Sequence, residues 1–143
     1  MRKRLERQEA LRRIVRRENI RTQRDLVEHL KRAGYVCTQA TVSRDITEMG
    51  LRKLPEGVYV LAEDLHLQRM VSELVTSVIR SERLVLIKAS PGTAQGVAAA
   101  LDAAGLDEVL GSIAGDDTVL VIAASEDDAA ALMRSVDKYR GRS

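Results

Sequence analysis

Thr38-Gln39-Ala40-Thr41-Val42-Ser43-Arg44-Asp45-Ile46-Thr47-Glu48-Met49-Gly50 decides how the first half of this chain folds. Thr38 is a helix N-cap residue, and its hydroxyl can accept from a free amide of the first turn. Val42, Ile46 and Met49 then recur at helical spacing and mark an inner face over Gln39–Met49. Gly50 supplies the stop. Immediately after comes Leu51-Arg52-Lys53-Leu54-Pro55-Glu56-Gly57-Val58-Tyr59-Val60, two short extended runs around a Pro-Glu-Gly turn, which reads as a hairpin. Upstream, Thr22 caps a helix from Gln23 to about Ala33 that buries Leu26, Val27 and Leu30. Gly34 ends that helix, and Tyr35-Val36-Cys37 is a short turn. Further upstream, Leu5, Leu11, Ile14 and Val15 among Arg and Glu predict an amphipathic helix over Arg4–Arg17.

Three helices followed by a hairpin is the order of a winged helix-turn-helix. In that arrangement the second helix of the motif enters the major groove with its N-terminal residues facing base edges. With Val42 and Ile46 turned inward, Gln39, Thr41, Ser43 and Arg44 are left for the outer face. Arg can grip a guanine in bidentate fashion, Gln suits adenine, and hydroxyls suit phosphate oxygens. Arg2, Lys3, Arg4, Arg52 and Lys53 add sequence-blind attraction to a polyanion, and the basic start reads as an arm. Arg12, Arg13, Arg16 and Arg17 read as a solvated face, and Asp45 and Glu48 as partners for nearby arginines.

Charge supports a division of labour. Residues 1–60 hold 15 Lys and Arg against 8 Asp and Glu, whereas the rest of the 143-residue chain is net acidic, 8 against 13. Such asymmetry fits a nucleic-acid-binding part beside a part with another task. Phe and Trp are absent and Tyr numbers only 3, which disfavours single-strand readers that stack bases on aromatic platforms. The single cysteine, Cys37, excludes an internal disulfide and fits a cytoplasmic location. No apolar run is long enough for a transmembrane helix, and no apolar stretch follows the basic start to make a signal peptide.

The predicted division is a DNA-binding domain over 1–62, a linker within Ala62–Leu65, and a second domain over 66–143. Leu67, Met70, Val71, Leu74, Val75 and Val78 predict a helix over His66–Arg80. Leu84–Ala89 follows as a strand, Ser90-Pro91-Gly92 as a turn and Thr93–Ala104 as an alanine-rich helix stopped by Gly105. Val109–Ala114 and Val119–Ala124 are predicted strands, and Glu126–Tyr139 a final helix. The expected fold class is α+β, a winged helix-turn-helix followed by an αβαββα domain. The small side chains of Val97-Ala98-Ala99-Ala100-Leu101 also suit close contact with another subunit.

Gly115-Asp116-Asp117-Thr118 sets two adjacent carboxylates at the turn between the last two strands. Like charges side by side repel, and an arriving cation relieves them. The same four residues are also ordinary turn chemistry. Asp102 lies seven residues after Gln95, about two helical turns, so both share one helix face.

Three segments together resemble the bacterial arginine repressor family: Gln39-Ala40-Thr41-Val42-Ser43-Arg44-Asp45-Ile46, then Ser90-Pro91-Gly92-Thr93-Ala94-Gln95 with Leu101-Asp102, then Val109-Leu110-Gly111-Ser112-Ile113-Ala114-Gly115-Asp116-Asp117-Thr118. The resemblance implies a trimer-forming C-terminal domain, two trimers stacking into a hexamer, and L-arginine as corepressor bound between trimers. It implies paired palindromic operators in double-stranded DNA upstream of arginine biosynthesis genes, and in some members activation of catabolic ones. By position, Ser43 and Arg44 would read DNA, and Gln95, Asp102, Asp116 and Asp117 would line the arginine pocket. Three features depart from the family: Ser112 replaces a usual threonine while keeping a hydroxyl, the wing is short for contacts with DNA, and the basic start before the first helix is not a family signature.

Two other readings follow from the same residues. An architectural DNA-binding factor for recombination would share the fold and the pocket. A small phosphate-binding enzyme would use Ser90-Pro91-Gly92-Thr93-Ala94-Gln95-Gly96, but that loop lacks the Gly-Lys-Ser/Thr ending. No nucleophile–base pair and no metal-ligand cluster stand out, so no catalytic residue, metal or cofactor is expected.

Overall fold

The computed structural model describes residues 2–141. The chain forms two compact units, residues 1–62 and 63–143.

The first unit contains α1 (Arg2–Arg17), α2 (Gln23–Arg32), α3 (Gln39–Met49) and a two-stranded antiparallel sheet of β1 (Leu51–Lys53) and β2 (Tyr59–Leu61). The predicted caps form. Thr22 accepts from the Asp25 amide at 3.0 Å and Thr38 from the Thr41 amide at 3.2 Å. Gly50 closes α3 in the left-handed region, φ 69°, where a side chain is disfavoured. Leu11, Ile20, Leu26, Leu30, Val42 and Leu61 are fully buried and make one core. The basic start is not an arm in this structure, because Arg2, Lys3 and Arg4 belong to the first turn of α1. Met1 lies outside the described residues. The wing is tied back at its turn end, where the Tyr59 amide donates to the Ile20 carbonyl at 2.8 Å, and Arg21 Nη1 donates to the Glu56 carbonyl at 2.7 Å.

The second unit runs α4 (Ala62–Leu74, its first residue in the first unit), β3 (Val75–Ser81), β4 (Leu84–Ala89), α5 (Ala94–Ala104), β5 (Val109–Ala114), β6 (Thr118–Ala123) and α6 (Glu126–Tyr139). The four strands form one antiparallel sheet in the order β3-β4-β6-β5. Two expectations are corrected here. The predicted linker Ala62–Leu65 is the first turn of α4. The predicted helix over His66–Arg80 stops at Leu74, and its second part is a strand, so the order gains β3 and becomes αββαββα.

A β-bulge explains the second error. Val75 pairs with Ala89, and Val78 pairs with Ile87, with a register shift between Val75 and Ser77. The extra residue lets Val75 and Val78, three apart, both turn inward. A bulged strand thereby mimics helical spacing. The β-branched content of Val75-Thr76-Ser77-Val78-Ile79 was the competing signal.

The inner face of the sheet (Val75, Val78, Val85, Ile87, Val119, Val121) packs with Leu67 and Val71 of α4, Val97 and Leu101 of α5, and Leu132 and Val136 of α6. Val97, Ala98, Ala100 and Leu101 are buried in this core, with only Ala99 of that run exposed. The small side chains expected to face another subunit are therefore mostly spent within the chain. On the other face the register aligns Ile79, Leu86, Leu120 and Ile113 in one row across all four strands, with Leu84 opposite Ile122 beside it. Ile79 is 56% and Ile113 72% exposed.

α6 offers a direct check of this packing. Ser125 caps it by accepting from the Asp128 amide at 3.0 Å. Ser125→Ala should cost about 1 kcal/mol and Leu132→Ala, at the buried face, about 3 kcal/mol. Urea unfolding at one fixed protein concentration measures both.

Candidate nucleic-acid interface and acid turn

α3 owes its orientation to an alternation of buried and exposed positions. Val42 is fully buried, Ile46 and Met49 are half-buried, and Gln39, Ser43, Arg44 and Thr47 are exposed. Thr41 is half-buried, and its hydroxyl lies 3.0 Å from the Thr38 hydroxyl, so it takes part in the cap. Gln39 and Ser43 are one turn apart, and Arg44 follows directly. Three of the four residues assigned to DNA thus stand on the outer surface of α3, while Thr41 sits at its edge.

Asp45 is the residue whose depth the sequence did not give away. It is 1% exposed, the one buried charged group among the described residues. Arg7 of α1 meets it with a two-pronged contact, Nε to Oδ2 at 2.6 Å and Nη2 to Oδ1 at 2.8 Å. Gln8 Nε2 donates to the same carboxylate at 3.0 Å and to Glu48 at 2.9 Å. Burial by itself would push the Asp45 carboxyl up, but the hydrogen bonds from Arg7 and Gln8, with the charge of Arg7, outweigh it and hold the group below the usual carboxylate range. The hydrogen bond to Asp45 raises the Arg7 guanidinium correspondingly. Burial also pushes the Cys37 thiol up, away from the thiolate form that reacts.

In the second unit the acid turn sits at a junction of three elements. The Asp117 carbonyl accepts from the Ala89 amide at the end of β4, 2.7 Å, and the Asp116 carbonyl accepts from the Ala94 amide at the start of α5, 3.2 Å. Gln95 is the next residue of α5, so the structure brings it beside the acid turn. Both aspartate side chains and Gln95 are exposed. Lys88 on β4 donates to the Thr118 hydroxyl at 2.7 Å, with Asp117 Oδ1 at 3.9 Å from its ammonium. Asp102 is elsewhere on α5, seven residues or about 10 Å of rise from Gln95. It accepts from the Ser112 hydroxyl at 3.2 Å, so the serine that replaces threonine has a partner. The four effector candidates therefore fall into a group of three and a separate Asp102. Among the described residues no cluster of three His, Cys, Asp or Glu side chains is set to hold a metal ion, and no helix is long and apolar enough to cross a membrane.

A three-helix unit with a hairpin wing and a surface helix with a polar outer face, joined to a separate α+β unit, defines a DNA-binding regulator of the winged-helix kind. Comparison with known proteins makes this specific. Residues 1–67 match the DNA binding domain of the arginine repressor, and residues 71–138 match its C-terminal domain. The arginine repressor of Carboxydothermus hydrogenoformans is 41% identical, covering 94% of this chain and 97% of its own length. That of Thermus thermophilus is 46% identical over 89% of this chain and 84% of its own, and that of Pelotomaculum thermopropionicum 38% over 94% and 97%. The chain belongs to the arginine repressor family.

The Asp45 contact gives stability a definite pH dependence. Its folded pKa lies below the unfolded value, so its contribution is complete above about pH 4, the ordinary carboxylate range, and is lost as pH falls through the lower folded value. Asp45→Ala should cost about 3 kcal/mol at neutral pH, the low end for a broken buried pair, because Arg7 keeps some contact with water. The difference between the two proteins should shrink as the pH of chemical unfolding experiments is lowered below 4.

Proposed function

We propose that this protein is an L-arginine-dependent repressor of arginine biosynthesis genes that acts in the cytoplasm as a hexamer on paired palindromic operators. In that reading Gln39, Thr41, Ser43 and Arg44 face the operator. Gln95, Asp102, Asp116 and Asp117 line the arginine site. Activation of arginine catabolic genes is the further outcome that family likeness implies.

The observation that carries the proposal is the meeting of the acid turn with the N-terminus of α5, in a chain that belongs to this family. Free arginine carries a guanidinium, an ammonium and a carboxylate. The guanidinium is a planar fork that matches a carboxylate, and the first turn of α5 favours the ligand's own carboxylate. Asp116 and Asp117 supply acceptors, and Gln95 supplies a neutral partner. Asp102, about 10 Å along α5 from Gln95, serves the same ligand best if it comes from another copy. That is one reason to place the site between subunits.

The uncovered sheet face is the second reason for assembly. A row of Ile79, Leu86, Leu120 and Ile113, with Leu84 and Ile122 beside it, favours association by burying apolar surface. Trimers built on that face would carry acid turns on their surfaces. Where two trimers meet, those carboxylates oppose one another, and bound arginine cancels the charge. The effector thus stabilises the hexamer and fixes how the DNA-binding units are presented. Linkage requires the converse, that operator-bound protein binds arginine more tightly.

Calorimetry tests the ligand site. L-arginine should bind the unmodified protein, and Asp117→Asn should weaken it about 10- to 100-fold, the value of a charge-assisted hydrogen bond. Undiminished affinity would remove Asp117 from the site. Native mass spectrometry should show a larger hexamer fraction with L-arginine than without. Leu120→Lys should yield monomers in both conditions, since a charge then sits in the middle of the apolar row. A Leu120→Lys protein that still forms hexamers would rule out the sheet face as the contact.

A further inference from the structure

The contact between α1 and α3 has more parts than holding two helices together requires. Arg4, Arg7 and Gln8 share one face of α1, being three and four apart. They meet Asp45 and Glu48, one turn apart on α3. Arg7 holds Asp45 through two parallel bonds, Gln8 bridges Asp45 and Glu48, and Arg4 Nη1 stands 3.9 Å from Glu48. Apolar packing of Val42 and Ile46 attracts α3 to the core without fixing its rotation, since that attraction is non-directional. A planar fork is directional, and a second contact one turn along the helix fixes rotation about the axis. Asp45 also follows Arg44, the outward-facing residue with the strongest capacity for base reading. Any roll of α3 at Asp45 therefore swings Arg44.

We infer that Arg7 and Asp45 are positioning residues for sequence discrimination: their buried fork sets the roll of α3, and so the aim of Arg44 and Ser43, without either member touching DNA. This rests on the reading of α3 as the element that enters the groove. The physical ground is tolerance. A bidentate contact to a base edge distinguishes sequences only when its donors are held to within about 0.5 Å and 10–20°, whereas contacts to phosphate are more forgiving. Loss of the fork should blunt discrimination and leave general attraction to DNA in place.

The experiment uses the full-length chain. A duplex selected by the unmodified protein from a random pool serves as the specific probe, and a scrambled duplex of the same length as the non-specific one. The double variant Arg7→Met/Asp45→Leu replaces the fork with apolar side chains, an exchange that buried pairs often tolerate without loss of stability. It should melt within a few degrees of the unmodified protein and keep its salt dependence of binding, which counts phosphate contacts. Its preference for the selected duplex should fall about tenfold or more, the worth of one good bidentate base contact. A double variant that keeps both stability and preference overturns the inference, because the pair then only fills space. Should that variant not fold, Arg7→Lys decides: it keeps the charge but lacks the fork, so preference should fall while melting changes little. Full preference in Arg7→Lys overturns the inference equally. If the unmodified protein selects no duplex, the reading of α3 fails and the inference with it, whereas full preference in the variants overturns the inference alone.

Discussion

The second unit is organised by a sheet with helices on one face only. Three helices supply enough apolar surface to bury Val85, Ile87, Val119 and Val121 from one side. The other side keeps a row of large aliphatic side chains that water solvates poorly. Strand alternation gives each inward residue an outward neighbour, whose polarity the chain is free to choose. The chain places Ile79, Leu86, Leu120 and Ile113 in the middle of that face, with the polar pair Lys88 and Thr118 at its edge. The same sheet decides where the acid turn lies. β5 and β6 must be joined at one end, and the turn that joins them is carried to the end of β4 and the start of α5, where its two carbonyls are used by the Ala89 and Ala94 amides. The side chains of Asp116 and Asp117 are thereby left to the solvent while their backbone is fixed.

The first unit solves a different problem. A short surface helix must be firm enough to present polar side chains, yet it has only Val42 fully buried and Ile46 and Met49 half-buried on its inner face. The chain adds a buried carboxylate, which costs desolvation, and compensates with Arg7 and Gln8. The two units thus carry opposite costs. One leaves apolar surface uncovered, and the other buries a charge.

Much of this was legible in the sequence where the signal was local. Thr22 and Thr38 each precede a helix and cap it, and Gly50 and Gly105 close helices in the left-handed region. α3 has its predicted limits because cap, periodicity and stop agree there, and α6 also spans its predicted range. β3 was misread because its bulge places Val75 and Val78 on one face at helical spacing. Ala62–Leu65 was misread as a linker because its short polar run lacked periodicity, although it opens α4. At the site, the sequence singled out Asp116 and Asp117 by their adjacency and Gln95 by its motif. It could not show that Gln95 and the acid turn adjoin while Asp102 stands apart, since that depends on how α5 packs against the hairpin.

The chain's own residues, then, determined the class of every element but β3 and the opening turn of α4, the glycine stops, the charge division between its halves and the family to which it belongs. These depend on neighbours a few positions away, or on motifs that survive as strings. Tertiary structure alone decided that Asp45 is buried under Arg7, 38 positions away, and that Ile79, Leu86, Leu120 and Ile113 form a single row. Each of those facts requires residues distant in sequence to be brought into register, and no local pattern encodes the distance between them.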